Sequence, residues 1–232
     1  SRTKAIMVVH LYGQVCDMTS IMKIADKNNL FVLEDCAQCY LGTHNGKLGG
    51  EIGHAGSWSF ENSKHLTCGD GGIVTCNDEE LGDLIRKISC QGFRNATAKS
   101  GKIRTSKDIF QNPNYKRHSI FGYMYRLPEV AAAMALGQLE KMEWFVEKRI
   151  KMAQMYTDVI QSNKCSWLQP QEVPDGDVNS YYTYALRFLH EDISWESFRK
   201  KHIEYGGDGI FAAWKLLYQE DSIPDIKKRL VC

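Results

Sequence analysis

The first 35 residues carry the pattern that most narrows the fold. AIMVV, Ala5 to Val9, is a short and wholly apolar run, suited to a strand buried on both faces. From Asp17 to Asn29, Met18, Ile21, Met22 and Ala25 recur at helical spacing behind two helix starters, Asp17 and Thr19. LFVL, Leu30 to Leu33, is a second apolar run that ends in Glu34-Asp35. Strand, helix, strand in this order predicts a βαβ unit, hence parallel strands joined by a right-handed crossover.

The next segments extend that sheet. Asn45-Gly46 is a tight-turn signal, and Gly49, Gly50, Gly53 and Gly56 keep their region loop-like. SWSF (57–60) and GIVTC (72–76) read as two further strands, and Asn77-Asp78 caps a helix running to about Cys90. Gly92 to Gly122 is polar, basic and irregular, the character of a functional or mobile loop. Helical patterning resumes at Pro128, with a bend expected between Glu140 and Glu143. Tyr181 to Phe188 alternates like a strand, and a helix is predicted from Ser194 to about Tyr205. We therefore expect an α/β fold: a mostly parallel sheet with flanking helices over residues 1–145, then a small α+β domain over 146–232.

Composition excludes several classes. The 232-residue chain is 43% hydrophobic and 25% charged with a formal net charge of +1, which gives no electrostatic reason to expect nucleic acid. No apolar run approaches the roughly 18 residues of a membrane span, so no membrane partner is expected. The N-terminus lacks a small-residue cleavage site and does not read as a signal peptide. The eight cysteines are scattered through apolar segments, as free thiols of a reducing, cytoplasmic compartment would be. Cys36 and Cys39 form a CxxC, but no second pair completes a metal site, and none is predicted.

Ligands of an open α/β sheet bind beyond the carboxyl ends of its strands. Asp35 stands at one such end with Gln38 three residues on, and Ser59 and Lys64 lie just past another. A carboxylate, an amide, a hydroxyl and an amine could thus converge on one crevice. Pyridoxal phosphate needs such groups: an amine for its aldehyde, a carboxylate for its pyridine nitrogen and a hydroxyl for its phosphate. Taken singly, each residue has a plainer reading: a surface lysine, a helix cap, a strand-end turn.

EDCAQ followed by SFENSKHLTCGDGGIVT resembles the DegT/DnrJ/EryC1/StrS sugar aminotransferases, which are fold-type-I pyridoxal-phosphate enzymes. HLYGQVCDM, IADKNNLFVLEDCAQ and YRLPEVAAAMALGQLEK resemble the same family's blocks in the same order, and FQNPNYKRH and YGGDGIFAAWKLLYQE are similar to a lipopolysaccharide-sugar branch. The resemblance covers nearly the whole chain and implies an aspartate-aminotransferase-like large domain. It implies that Lys64 is the Schiff-base lysine and proton carrier. By the same resemblance Asp35 pairs with the pyridine nitrogen, Gln38 contacts the phenolic oxygen and Ser59 binds phosphate. His10 and Tyr12 would lie near cofactor or substrate, and the GDGG turn (69–72) would let backbone pass beside the lysine. His65 is expected to be structural, His118 solvated rather than a substrate contact, and Trp214 and Tyr218 core of the small domain. Tyr123 and Arg126 would pack a helix start or reach a neighbouring subunit's site.

The implied reaction moves an amino group from glutamate to a keto-sugar nucleotide, in a homodimer whose sites are shared between subunits. Against the family's pattern, the chain is expected to be truncated at both ends. Met124 stands where relatives carry an asparagine that reaches the partner's phosphate, and a thioether cannot donate that bond. Two other readings remain: a related pyridoxal-phosphate sugar dehydratase, in which histidine replaces the lysine, and a non-catalytic fragment.

Overall fold

The computed structural model describes residues 2–97 and 105–221, so part of the expected 92–122 loop and Cys232 lie outside the described residues. The chain forms two compact units, Ser1–Arg187 and Phe188–Cys232, a division later in the chain than the boundary expected near residue 145.

The first unit opens with β1 (Ala5–Val9), α1 (Met18–Asn28) and β2 (Phe31–Asp35). Asp17 caps α1 by accepting the Ser20 N–H, and Asn29 ends it in the left-handed conformation at φ 50°. The predicted hairpin follows as β3 (Thr43–His44) and β4 (Lys47–Leu48). Its turn residues Asn45 and Gly46 have φ of 50° and 76°, as a twist-matched two-residue turn requires. β5 (Ala55–Ser59) and β6 (Gly72–Cys76) complete a four-stranded sheet of order β1-β2-β5-β6. β1, β2 and β5 run parallel and β6 returns antiparallel to β5, which bears out a mixed, mostly parallel α/β sheet.

Asp78 caps α2 (Glu79–Ser89), and a short α3 (Lys107–Gln111) lies within the irregular region. α4 (Glu129–Leu139) and α5 (Met142–Ser162) are separated where the bend is predicted. A short two-stranded ladder pairs β7 (Leu168–Pro170) with β8 (Leu186–Phe188).

Two apolar clusters hold this unit. Val8, Val32 and Ile6 meet Met18, Ala25, Ile21 and Met22 of α1. Phe60, Leu66 and Tyr40 meet Ala135 of α4 and Met142 and Val146 of α5, so α5 belongs to the same core as the sheet. The side chains of β1 alternate: Met7 and Val9 point away from α1 and are 65% and 45% exposed. The run that reads as buried on both faces is therefore buried on one, because no described element packs on the other.

The strand predicted over 181–188 is only three residues long. Tyr181 has φ 47°, a left-handed conformation that no strand residue adopts, and the segment is diverted from sheet pairing. In the second unit, α6 (Trp195–Glu204) is capped by Ser194 as predicted. Phe188 packs with Trp195 and Phe198 at ring-centroid distances of 6.5 and 5.2 Å. Trp214 and Tyr218, expected in a small-domain core, are 93% and 69% exposed.

Candidate active site

Parallel pairing puts the carboxyl ends of β1, β2 and β5 at one edge of the sheet. Val9 is in register with Asp35, and Asp35 with Ser57. The ladder continues one step past the strands: His10 N–H donates to the Asp35 carbonyl at 3.0 Å and Cys36 N–H to the Ser57 carbonyl at 2.8 Å. Asp35 and Ser59, the last residues of β2 and β5, therefore lie toward the same edge, Ser59 two residues beyond the partner of Asp35.

Among the described residues, each half-buried polar side chain at this edge keeps a functional group in reserve. The Asp35 carboxylate accepts the Ala37 N–H at 2.9 Å, a turn that uses one oxygen. Gln38 Oε1 accepts the Tyr12 N–H at 2.9 Å, which leaves its NH2 as the donating end. Tyr12 itself sits at φ 60°, so Gln38 braces a strained turn after β1. Ser59 Oγ accepts the Glu61 N–H at 3.3 Å, which leaves its hydroxyl proton to donate. Lys64 lies in the turn beyond β5, its N–H bound to the Glu61 carbonyl at 3.1 Å. Its ammonium stands 4.8 Å from the centre of the Tyr182 ring.

A second network joins these turns. Ser180 N–H donates to the Gly13 carbonyl at 2.9 Å, and the Ser180 hydroxyl reaches the same oxygen at 3.3 Å. Gly13 has φ 99°, and a Cβ there would meet the Tyr181 nitrogen at 2.5 Å, so the 179–182 segment docks on bare backbone. His65 Nε2–H donates to the Ser180 carbonyl at 3.1 Å. Its ring lies 5.5 Å from that of Tyr40 and 5.8 Å from that of Tyr182. Burial pushes the His65 pKa down to about 4, against the opposing effect of the Ser180 carbonyl, and the Arg149 and Lys64 charges lower it further. Among the described residues Nδ1 is buried without a partner. The expected structural part for His65 thus has a definite content: it fastens the residue after Lys64.

His10 is placed elsewhere. It is fully buried, with Nε2 2.8 Å from a Glu34 oxygen, and its Nδ1 accepts the Cys16 N–H at 3.2 Å. Glu34 also accepts N–H bonds from Gly50, Ile52 and Gly53. Burial acts to raise the Glu34 pKa, but His10 and the backbone donors outweigh it and hold the carboxyl below its usual range. Burial likewise opposes a charge on His10, whereas Cys16, Cys36 and Glu34 act to raise its pKa. A second ring proton would sit at Nδ1 against the Cys16 N–H; the tautomer held by the backbone has Nδ1 bare and Nε2–H on Glu34. With both ring nitrogens taken by the chain, His10 does not join Asp35, Gln38, Ser59 and Lys64. Strand alternation explains the split: Glu34 turns to the core with His10, and Asp35 to the other face. His10, Glu34 and Cys36 lie within 4.8 Å of one another, but the bonds above already engage the first two, which makes the group a hydrogen-bonded pin.

Of the loop residues, His118 Nδ1 donates to the Gln91 carbonyl at 2.7 Å and the ring stacks on Phe93 at 4.8 Å, an exposed but ordered contact. Met124 accepts: Arg126 Nε–H reaches its sulfur at 3.3 Å. Sequence reasoning missed Tyr182, Ser180, Arg149 and Glu34. The run NSYYTY was the available signal, but its alternation reads as a strand.

A profile of the DegT/DnrJ/EryC1/StrS aminotransferase family matches residues 1–206. The GDP-perosamine synthase of Escherichia coli O157:H7 is 35% identical over 162 residues, 70% of this chain and 40% of that protein. A solved aminotransferase from Psychrobacter cryohalolentis is 32% identical with a TM-score of 0.72, over 88% of this chain and 51% of that one. The E. coli GDP-4-keto-6-deoxy-D-mannose-3-dehydratase, solved with hydrated PLP bound, is 25% identical with a TM-score of 0.74, over 88% of this chain and 52% of that one. The chain spans about half the length of the curated relatives it matches.

Proposed function

Because the chain belongs to the DegT/DnrJ/EryC1/StrS aminotransferase family, we propose that it carries the lysine-bearing part of a pyridoxal-phosphate-dependent sugar aminotransferase. The observation that carries this reading is the common edge that Asp35, Gln38, Ser59 and Lys64 follow, where the first three each keep hydrogen-bonding capacity among the described residues and the Lys64 ammonium rests on an aromatic ring. When bound, pyridoxal phosphate supplies an aldehyde that takes up an amine and a ring that accepts electrons. Lys64 would hold that aldehyde and, once released, would carry a proton. Asp35 would keep the pyridine nitrogen protonated. Gln38 would offer its NH2 to the phenolic oxygen, and Ser59 its hydroxyl to the phosphate. His10 acts from the core through Glu34, as a positioning residue.

The substrates we propose are glutamate as amino donor and a keto-sugar nucleotide as acceptor, in amino-sugar or lipopolysaccharide biosynthesis by a cytoplasmic homodimer. Similarity to the GDP-perosamine synthase supports a sugar-nucleotide substrate. No described helix is long and apolar enough to cross a membrane. Residues 1–145 and 146–232 are proposed as the chain's shares of a large and a small domain.

The likeness to the dehydratase favours a second reading, removal of a sugar hydroxyl on the same cofactor. Lys64 weighs against it, and the product decides: aminated sugar supports the first reading, deoxygenated sugar the second. The exposed face of β1 leaves a third, a fragment that turns nothing over. The primary test is to add pyridoxal phosphate to the purified chain, record the visible spectrum, reduce with borohydride and map the label. Label confined to Lys64 supports the reading. Absence of an absorption band, or label spread over surface lysines, would sink it for this chain.

A further inference from the structure

Tyr182 and Lys64 are held together from both sides of the lysine. Before it, the Ser63 hydroxyl lies 3.0 Å from the Tyr182 hydroxyl. After it, His65 binds the Ser180 carbonyl at 3.1 Å and packs its ring 5.8 Å from that of Tyr182. Arg149, one turn of α5 beyond the core residue Val146, donates to the Tyr182 carbonyl at 3.1 Å. The Tyr182 ring is thus fixed, and the Lys64 ammonium rests 4.8 Å from its centre. An ammonium is attracted to the negative face of an aromatic ring, more strongly when partly shielded from water, and both residues are half-buried.

We infer that Tyr182 is the resting platform of the Lys64 ammonium, a positioning residue that holds the amine whenever it is not bonded to cofactor. This rests on the reading of Lys64 as the cofactor lysine. A lysine that lets go of its cofactor regains several rotatable bonds, and recapture requires ordering them again. A ring stapled to residues 63 and 65 keeps the released amine in one place. The ring also shields the amine that rests on its face, so its removal has a chemical signature.

The test uses the cofactor-free chain. Acetylation of Lys64 by acetic anhydride is measured by peptide mapping, as a ratio to the exposed Lys47 and Lys164 in the same digest. In Tyr182→Leu the Lys64 ratio should rise about twofold to fivefold. Tyr182→Phe loses the bond to Ser63 but keeps the ring, and should match the unaltered chain. An unchanged ratio in Tyr182→Leu overturns the inference. A rise of the same size in both variants overturns it too, because the hydroxyl and not the ring face would then be the restraint. Borohydride labelling of the unaltered chain separates the two claims: without label on Lys64 the aminotransferase reading fails, whatever the acetylation ratios. With that label and flat ratios, only the platform fails.

Discussion

His10 and Glu34 face each other at 2.8 Å with neither side chain exposed to solvent, and each belongs to the carboxyl end of a different parallel strand. Glu34 accepts four hydrogen bonds in all, three of them from the backbone of the 50–53 turn. The residue after Glu34 is Asp35. The pin in the core and the carboxylate at the edge are therefore one backbone step apart, and whatever loosens the first displaces the second.

Glu34→Ala should lower unfolding stability by about 3–5 kcal/mol, because it strands a buried imidazole and three N–H groups that are buried or part-buried. Glu34→Gln keeps the shape and some acceptor capacity and should cost less. Urea unfolding of both variants followed by tryptophan fluorescence checks the order. Equal losses would mean that the charge, not the bonding, matters.

His65 makes stability depend on pH. Its pKa is about 4 in the folded chain against an ordinary 6.5, so between those values the unfolded chain binds more protons. Its contribution is complete above pH 6.5 and falls by up to about 3 kcal/mol as pH drops to about 4. Glu34 is depressed below its ordinary value of 4.5, so its contribution is lost only at lower pH, as pH falls from there through the folded value. Unfolding midpoints at pH 7 and 4.5 should differ less in His65→Phe than in the unaltered chain. A parallel shift in both would assign the dependence to other groups.

Gly13→Ala should release the 179–182 segment. The added Cβ would meet backbone nitrogens of Tyr181 and Tyr182 at 2.5 and 2.8 Å and would sit at φ 99°. A loss of about 2 kcal/mol or more follows from the clash and the strained backbone together. Limited proteolysis reads the result directly: new cuts should fall close to Ser180, and an unaltered digest would show that the docking survives.

Lys64→Ala should abolish the reducible cofactor label and leave the unfolding midpoint almost unmoved, because the lysine is half-buried and forms no ion pair among the described residues. Asp35→Asn should weaken pyridoxal phosphate binding about tenfold to a hundredfold, the worth of one hydrogen bond to a charged group. Spectrophotometric titration measures both. Unchanged affinity in Asp35→Asn would remove Asp35 from the pyridine nitrogen.

Much of the fold was legible because it rests on short-range chemistry. Asp17, Asp78 and Ser194 cap the helices they were predicted to start, and Asn45-Gly46 turns the hairpin. Strand ends place Asp35 and Ser59, since a parallel sheet sends its carboxyl ends one way. His10 was not legible in this sense. Its position after β1 suggested the crevice, but a pairing 24 residues away turned it into the core.

Local pattern was enough for the order of elements, their caps and turns, the parallel sheet and the four polar residues at its edge, because each depends on neighbours within a few positions. Tertiary packing alone decided that Tyr182 lies under Lys64, that Ser180 docks on Gly13 and that Glu34 pairs with His10. Those relations join residues 24 to 167 positions apart. No propensity or periodicity encodes such pairs; they exist only once burial and the hydrogen-bonding needs of the enclosed groups have chosen their partners.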